Sequence, residues 1–174
     1  MIRELTTEDV EAYVVIRHAA LVESPLSFSA SVDDDFVSSP EAVRRELDRT
    51  PESTIFGAFR PELVGTAGIF RGRHVKASHK AHVWGMYVAP THRRQGVGSD
   101  LLEATLNHAR KLRGVSCIYL SVSSAAPEAL ALYERAGFQI WGTEPDALSY
   151  NGRTVAEYHM ALSLTDCTTY HAVC

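Results

Sequence analysis

The chain has 174 residues, 45% of them hydrophobic and 22% charged, with a formal net charge of −4 at pH 7. That length suits one domain with a sizeable core, and that composition excludes a disordered chain. The acidic balance gives no support to a nucleic-acid partner. No apolar run reaches the length of a membrane span. The start, "MIRELTTEDVEA", turns polar too early for a signal peptide. The three cysteines, Cys117, Cys167 and Cys174, are odd in number and lack Cys-x-x-Cys spacing, so neither a disulfide framework nor a zinc site is expected. Cys117 lies in an apolar run and reads as core. A reducing cytoplasm is the expected compartment.

In chain order, Ile2–Leu5 reads as a short strand. Thr7 then offers an N-cap, with Glu8 and Asp9 in the first turn, for a helix through about Val22. "ESPLSFSASVDDD" is a polar connection. Pro40 opens a second helix that ends near Asp48. Ser53–Arg60 and Leu63–Arg71 are β-rich runs joined at "RPEL" as a hairpin. "GRHVKASHK" is a basic loop or strand extension. Ala81–Val88 is apolar on both faces and reads as a central strand, stopped by Pro90.

A long helix follows from about Gly96. Its residues Val97, Leu101, Leu102, Thr105, Leu106 and Ala109 have helical spacing, and Gly114 ends it. Ser116–Val122 is a short β-branched strand, and Pro127–Ala136 a helix closed by Gly137. Phe138–Thr143 and Thr154–Leu162 are strands, with "YNGR" as a hairpin turn. The segment 165–174 lacks periodicity and reads as a frayed tail, leaving 1–164 as the domain. The order β-α-α-β-β-β-α-β-α-β-β describes a mixed α/β or α+β domain around one sheet.

The chemistry concentrates first in "THRRQGVGSD", residues 91–100. A triphosphate-binding loop needs Lys and then Ser or Thr directly after its last glycine, and here Ser99 and Asp100 follow Gly98. A dinucleotide fingerprint needs glycine where Leu101 stands. What remains is physical. Gly96 and Gly98 let backbone approach an anion, the first turn of a helix offers free N–H groups, and Arg93 and Arg94 add positive charge. The plainer alternative is a glycine-containing connection with solvated arginines.

A second segment, "SAAPEALALYERAGF" (124–138), places Tyr133 on a helix face with small and apolar groups. That tyrosine is either a core residue or an acid beside a leaving group.

Together the two segments resemble the Gcn5-related N-acetyltransferase superfamily. The resemblance covers roughly Ile2–Leu164. It is most specific over "WGMYVAPTHRRQGVGSDLL" and "APEALALYERAGF", and "EYHMAL" looks like the family's last strands. It implies a central mixed, mostly antiparallel sheet of about seven strands, splayed between the fourth and fifth and flanked by about four helices. It implies acetyl-CoA as cosubstrate and no metal. The pyrophosphate cradle would be Arg93, Arg94, Gln95, Gly96, Val97, Gly98 and Ser99, with the backbone of Met86, Tyr87 and Val88 on the pantetheine arm as an added strand. A backbone N–H at or near Val88 would face the oxyanion. Tyr133 matches the family's general acid to the thiolate. Ala126 stands where many members carry an asparagine on the cofactor arm, so that contact is lost or supplied by Ser123 or Ser124.

The implied reaction is direct acetyl transfer to a primary amine, either a small molecule or a protein N-terminus or lysine. Base candidates are His82, Glu157, Glu23 or an ordered water. His74 and His79 lie in the basic loop. The acceptor would enter between about Glu23–Phe36 and Asp146–Arg153. There Asp33, Asp34 and Asp35 either cap a solvated loop or attract a cationic amine. Small bacterial members of unassigned substrate, and the ribosomal-protein N-terminal acetyltransferases, share the motifs equally well. A non-catalytic acyl-CoA sensor is the alternative function. A homodimer is neither supported nor excluded.

Overall fold

The structure is a computed structural model that describes residues 1–48 and 50–165. Of the tail expected at 165–174, residues 166–174 lie outside the described residues. Eleven regular elements run β1 (Ile2–Glu4), α1 (Val10–Glu23), α2 (Pro40–Leu47), β2 (Ser53–Phe59), β3 (Leu63–Arg71), β4 (Lys80–Val88), α3 (Val97–Lys111), β5 (Cys117–Ser123), α4 (Pro127–Arg135), β6 (Gln139–Tyr150) and β7 (Arg153–Ser163). One seven-stranded sheet joins them in the order β1-β2-β3-β4-β5-β7-β6. Every pairing is antiparallel except β4 with β5.

Strand alternation sends side chains to two separate cores. Ile69, Ala81, Ile118 and Met160 pack with Leu101 and Leu102 of α3 on one face. Ile55 and Tyr87 pack with Tyr13 and Ile16 of α1 and Val43 of α2 on the other. The six spaced residues read as the inner stripe of α3 are all buried.

Most boundaries fall within a residue or so of the sequence reading, and two differences have a physical cause. The first helix is capped one residue earlier, at Thr6, whose Oγ1 accepts the Glu8 N–H while Asp9 accepts the Thr6 N–H, so a 3-10 turn at Thr7–Asp9 leads into α1. β6 runs to Tyr150 rather than stopping at Thr143. Its register slips at Ile140/Gly142 and at Glu144/Leu148, and Asp146 takes a φ of 53°. Such bulges interrupt alternation, and Pro145 is tolerated because β6 is the sheet edge. The "YNGR" turn is as read, with positive φ at Asn151 and Gly152 and Tyr150 paired to Arg153.

The feature that makes a site is the parallel seam. β4 and β5 pair only through Lys80–His82 and Cys117–Tyr119. Beyond those residues the strands part, and the sheet opens into a cleft.

Candidate active site

The cleft has a volume of about 770 Å³. One wall is the C-terminal half of β4 with the start of α3. The other is Ser121 and Val122 of β5 with α4. Glu23, Ser27 and Phe28 close it from the α1 side. Of the residues singled out in the sequence, Met86, Tyr87, Val88, Arg93, Arg94, Gly96, Gly98, Ser99, Ala126 and Tyr133 line it.

The β4 wall offers main chain. Ala89 donates its N–H to the Val64 carbonyl at 2.9 Å. Alternation along a strand then turns the N–H and C=O of Val88 away from β3, towards the cleft. The Val88 carbonyl is taken by Arg93 Nε at 2.9 Å, which leaves the N–H for a ligand.

At the head of α3, Gly96 holds the N-cap with φ 83°, in the left-handed region where a side chain is strained. No side chain caps this helix. A Cβ on Gly96 would meet nothing within 4 Å, while one on Gly98 would lie 3.4 Å from Leu132. The first N–H groups of α3 are therefore free of side-chain partners and open to an anion.

The cradle is not uniform. Gln95 turns away and donates from Nε2 to the Thr91 carbonyl. The side chain of Val97 is core. Neither lines the cleft. Arg93 is committed to Glu23 through two hydrogen bonds of 2.6 and 3.2 Å, besides its bond to Val88. That pair crosses from the end of α1 to the loop before α3, and sequence separation hid it. It also changes the standing of Glu23 as a base. Arg93 and the Ser24 hydroxyl hold the Glu23 carboxyl below its ordinary range.

Tyr133 is 5% exposed, with its ring edge-on to Phe138 at 5.9 Å. Its hydroxyl makes no hydrogen bond to a described residue, although the side chain lines the cleft. Burial pushes its pKa up, so it stays protonated and able to donate. The two serines considered as substitutes for an asparagine at 126 each accept a backbone N–H, and neither lines the cleft. Ser123 Oγ accepts the Ala125 N–H, and Ser124 Oγ accepts the Ala156 N–H.

The remaining base candidates sit off the cleft. His82 is on the closed part of the seam, stacked between Phe70 at 5.0 Å and Tyr119 at 5.8 Å, with burial holding its pKa down. Glu157 faces Ser123 and Glu144 across its two neighbouring strands. Burial raises its carboxyl, with His159 opposing and Glu144 adding to the rise.

The acidic run is structural for the most part. Asp35 is buried and accepts from Arg17 Nε and Nη2 at 3.2 and 2.7 Å, and Asp34 accepts from the N–H and hydroxyl of Ser31. Among the described residues no cluster of His, Cys, Asp or Glu could hold a metal ion. No described helix is long and apolar enough to cross a membrane.

A constellation that sequence reasoning missed lies on the β5 side. Ser121 Oγ is 2.8 Å from His159 Nδ1, and His159 Nε2 is 3.3 Å from Glu144 Oε2. No local pattern marks these residues, since each comes from a different strand.

An uncapped helix start, an open strand edge and the Tyr133 side chain thus meet in one cleft of a splayed sheet. The family model described as Acetyltransferase (GNAT) family matches residues 20–138, and the chain belongs to that family. Over 102 residues it is 40% identical to N-alpha-acetyltransferase RimI of Mycobacterium tuberculosis, covering 58% of this chain and 60% of that protein. Over 144 residues it is 28% identical to mycothiol acetyltransferase of Propionibacterium freudenreichii, covering 79% of this chain and 42% of that protein. The chain thus spans about half the length of these curated relatives.

Among solved structures, a GNAT-family acetyltransferase from Streptococcus pneumoniae superposes with a TM-score of 0.82 at 18% identity, covering 94% of this chain and 99% of that one. The yncA structure from Salmonella typhimurium, which contains its cofactor acetyl-CoA, gives 0.77 at 20% identity, covering 99% and 98%. At those identities the likeness speaks for the fold.

Proposed function

We propose that the protein transfers the acetyl group of acetyl-CoA to a primary amine. The observation that carries this reading is Tyr133, a buried ring whose hydroxyl makes no hydrogen bond to a described residue, in the same cleft as the uncapped start of α3. Bound acetyl-CoA would supply an activated thioester carbonyl.

The chain's own groups have separable tasks. The N–H groups at 96–99 and Arg94 hold the pyrophosphate. Met86–Val88 orient the arm along the strand edge. The Val88 N–H faces charge that develops on the carbonyl oxygen.

Tyr133 meets the leaving sulfur. The ordinary values are roughly 10 for Tyr and 8.5 for a thiol, and burial raises Tyr133 further. A hydrogen bond to the developing thiolate therefore outweighs complete proton transfer as its contribution. Phe28 and Trp84 line the opposite side of the cleft, where the acceptor enters. A peptide α-amine is the first acceptor to try, because RimI, an N-alpha-acetyltransferase, shares 40% identity over 102 residues.

The test is calorimetry with acetyl-CoA, followed by thiol release against an alanine peptide, spermidine, lysine and an aminoglycoside. Binding with amine-dependent thiol release is expected. Binding without release by any amine would favour the sensor, and absence of binding would end the reading.

A further inference from the structure

The reaction proposed above needs a proton acceptor, because the amine arrives as an ammonium. The carboxylates lining the cleft are Glu23 and Glu128. Glu23 is held ionised and engaged by Arg93 and Ser24. Glu128 is exposed in the first turn of α4. Arg93, Arg94 and Arg135 are cations, and Tyr133 is a donor. Ser121 is different. It is exposed to the cleft, and its Oγ leads out of it to an imidazole.

We propose that Ser121, His159 and Glu144 form a proton relay in which Ser121 contacts the acceptor amine and His159 takes the proton behind it. The proposal rests on the acetyl-transfer reading. Ser121 and His159 are direct partners in the β5–β7 ladder, so register puts both on one face. The Trp141 ring stacks on the imidazole at 5.4 Å. Nδ1 is hydrogen-bonded to Ser121 at 2.8 Å, while Glu144 Oε2 lies 3.3 Å from Nε2 as a charge contact.

The negative charge of Glu144 beside Nε2 favours the tautomer with hydrogen on that nitrogen, without a hydrogen bond between them. Nδ1 then accepts the Ser121 O–H, and the lone pairs of Ser121 Oγ are left for the amine. Glu144 is a positioning residue, and His159 acts through Ser121.

Other groups around the imidazole are consistent with this. β5 brings Tyr119, with Lys80 over its ring at 5.0 Å. β6 brings Trp141 and Glu144. β7 itself brings Glu157, paired to Glu144 across the ladder. The turn Pro25–Ser27, which packs on β5 and β6, carries no charged side chain.

The protons balance. One ammonium proton passes to Ser121 Oγ as the Ser121 proton passes to His159 Nδ1. The neutral nitrogen then forms the C–N bond while the C–S bond breaks. A second proton of the amine ends on the thiol. His159 returns its proton to water.

Two measurements test this. Long-range proton–nitrogen NMR on the free protein should find His159 as the Nε2–H tautomer, and an Nδ1–H tautomer would overturn the relay whatever the turnover. Rates against pH are then compared for the fastest amine of the panel and a fluorinated analogue whose nitrogen is already neutral. His159→Gln and Ser121→Ala should each lower kcat/KM for the basic amine about 100-fold. Both should displace the acidic limb and leave the acetyl-CoA Kd within about twofold. The fluorinated amine should lose no more than about threefold.

An unchanged acidic limb in both variants, or equal losses for the two amines, would overturn the relay while transfer stands. If wild-type protein releases no thiol with any amine, the transfer reading falls and takes the relay with it.

Discussion

The two walls of the cleft are built from different materials. The β4–α3 wall presents main-chain groups whose directions follow from backbone torsions, at Val88 and Gly96 above all. The β5 wall presents side chains, and Ser121, His159 and Glu144 reach one another from three strands. The first kind tolerates most side-chain changes so long as the backbone path is kept. The second depends on register, because a slip of one residue in β7 would carry His159 to the opposite face.

Substitutions can break this contrast in order of size. The largest effect is expected beneath the α1 side of the cleft, where the Arg17–Asp35 pair is nearly dry, with side-chain exposures of 9% and 2%. The Arg17 guanidinium also lies over Phe28 at 4.9 Å. Asp35→Ala strands a buried cation and should cost about 3–5 kcal/mol in urea unfolding. Arg17→Met with Asp35→Leu should recover most of that loss. If the single variant costs nothing, this side of the cleft does not stand on the pair.

Next is Tyr133→Phe. It should lower kcat about 100-fold and leave the acetyl-CoA Kd within about twofold. A full-rate variant would remove the hydroxyl from the chemistry.

Gly96→Val tests the backbone wall in the opposite sense. A β-branched residue in the left-handed region costs about 1–2 kcal/mol. The Kd should therefore rise about tenfold, with kcat at saturation kept. A normal Kd would mean that the torsion at 96 is not what shapes the cradle.

The smallest effect is at Glu23, a third or so exposed and screened by solvent. Its carboxyl is lowered by Arg93. The stabilisation is therefore present above the ordinary carboxylate range and is lost as pH falls through the folded value. Glu23→Gln should cost about 1 kcal/mol or less and remove that acidic dependence. An unfolding curve whose pH dependence is the same in the variant would show the pair contributes nothing.

What could be read from the sequence follows the same divide. The turn at 93–99 and the face of α4 around Tyr133 are set by neighbours in the chain, so glycine spacing and helical periodicity reveal them. The strands and the six-residue stripe of α3 were legible for that reason. Three things were not. Glu23 and Arg93 meet across 70 residues. Ser121 and His159 are 38 residues apart and carry no shared pattern. His82 was placed on the right strand, but only pairing shows that the seam is still closed at that residue. The length of β6 was lost because bulges and Pro145 break the alternation by which a strand is recognised.

His82 leads to a last consequence of the short parallel seam. In mechanical terms the sheet carries a notch, and the tip of a notch is where a plate tears. Here the tip is stitched with rings. Phe70, His82 and Tyr119 lie in a row at 5.0 and 5.8 Å across β3, β4 and β5, and Trp141 continues it at 6.3 Å onto β6. Above the tip the strands part into the cleft, and at the tip the row of rings ties the sheet together.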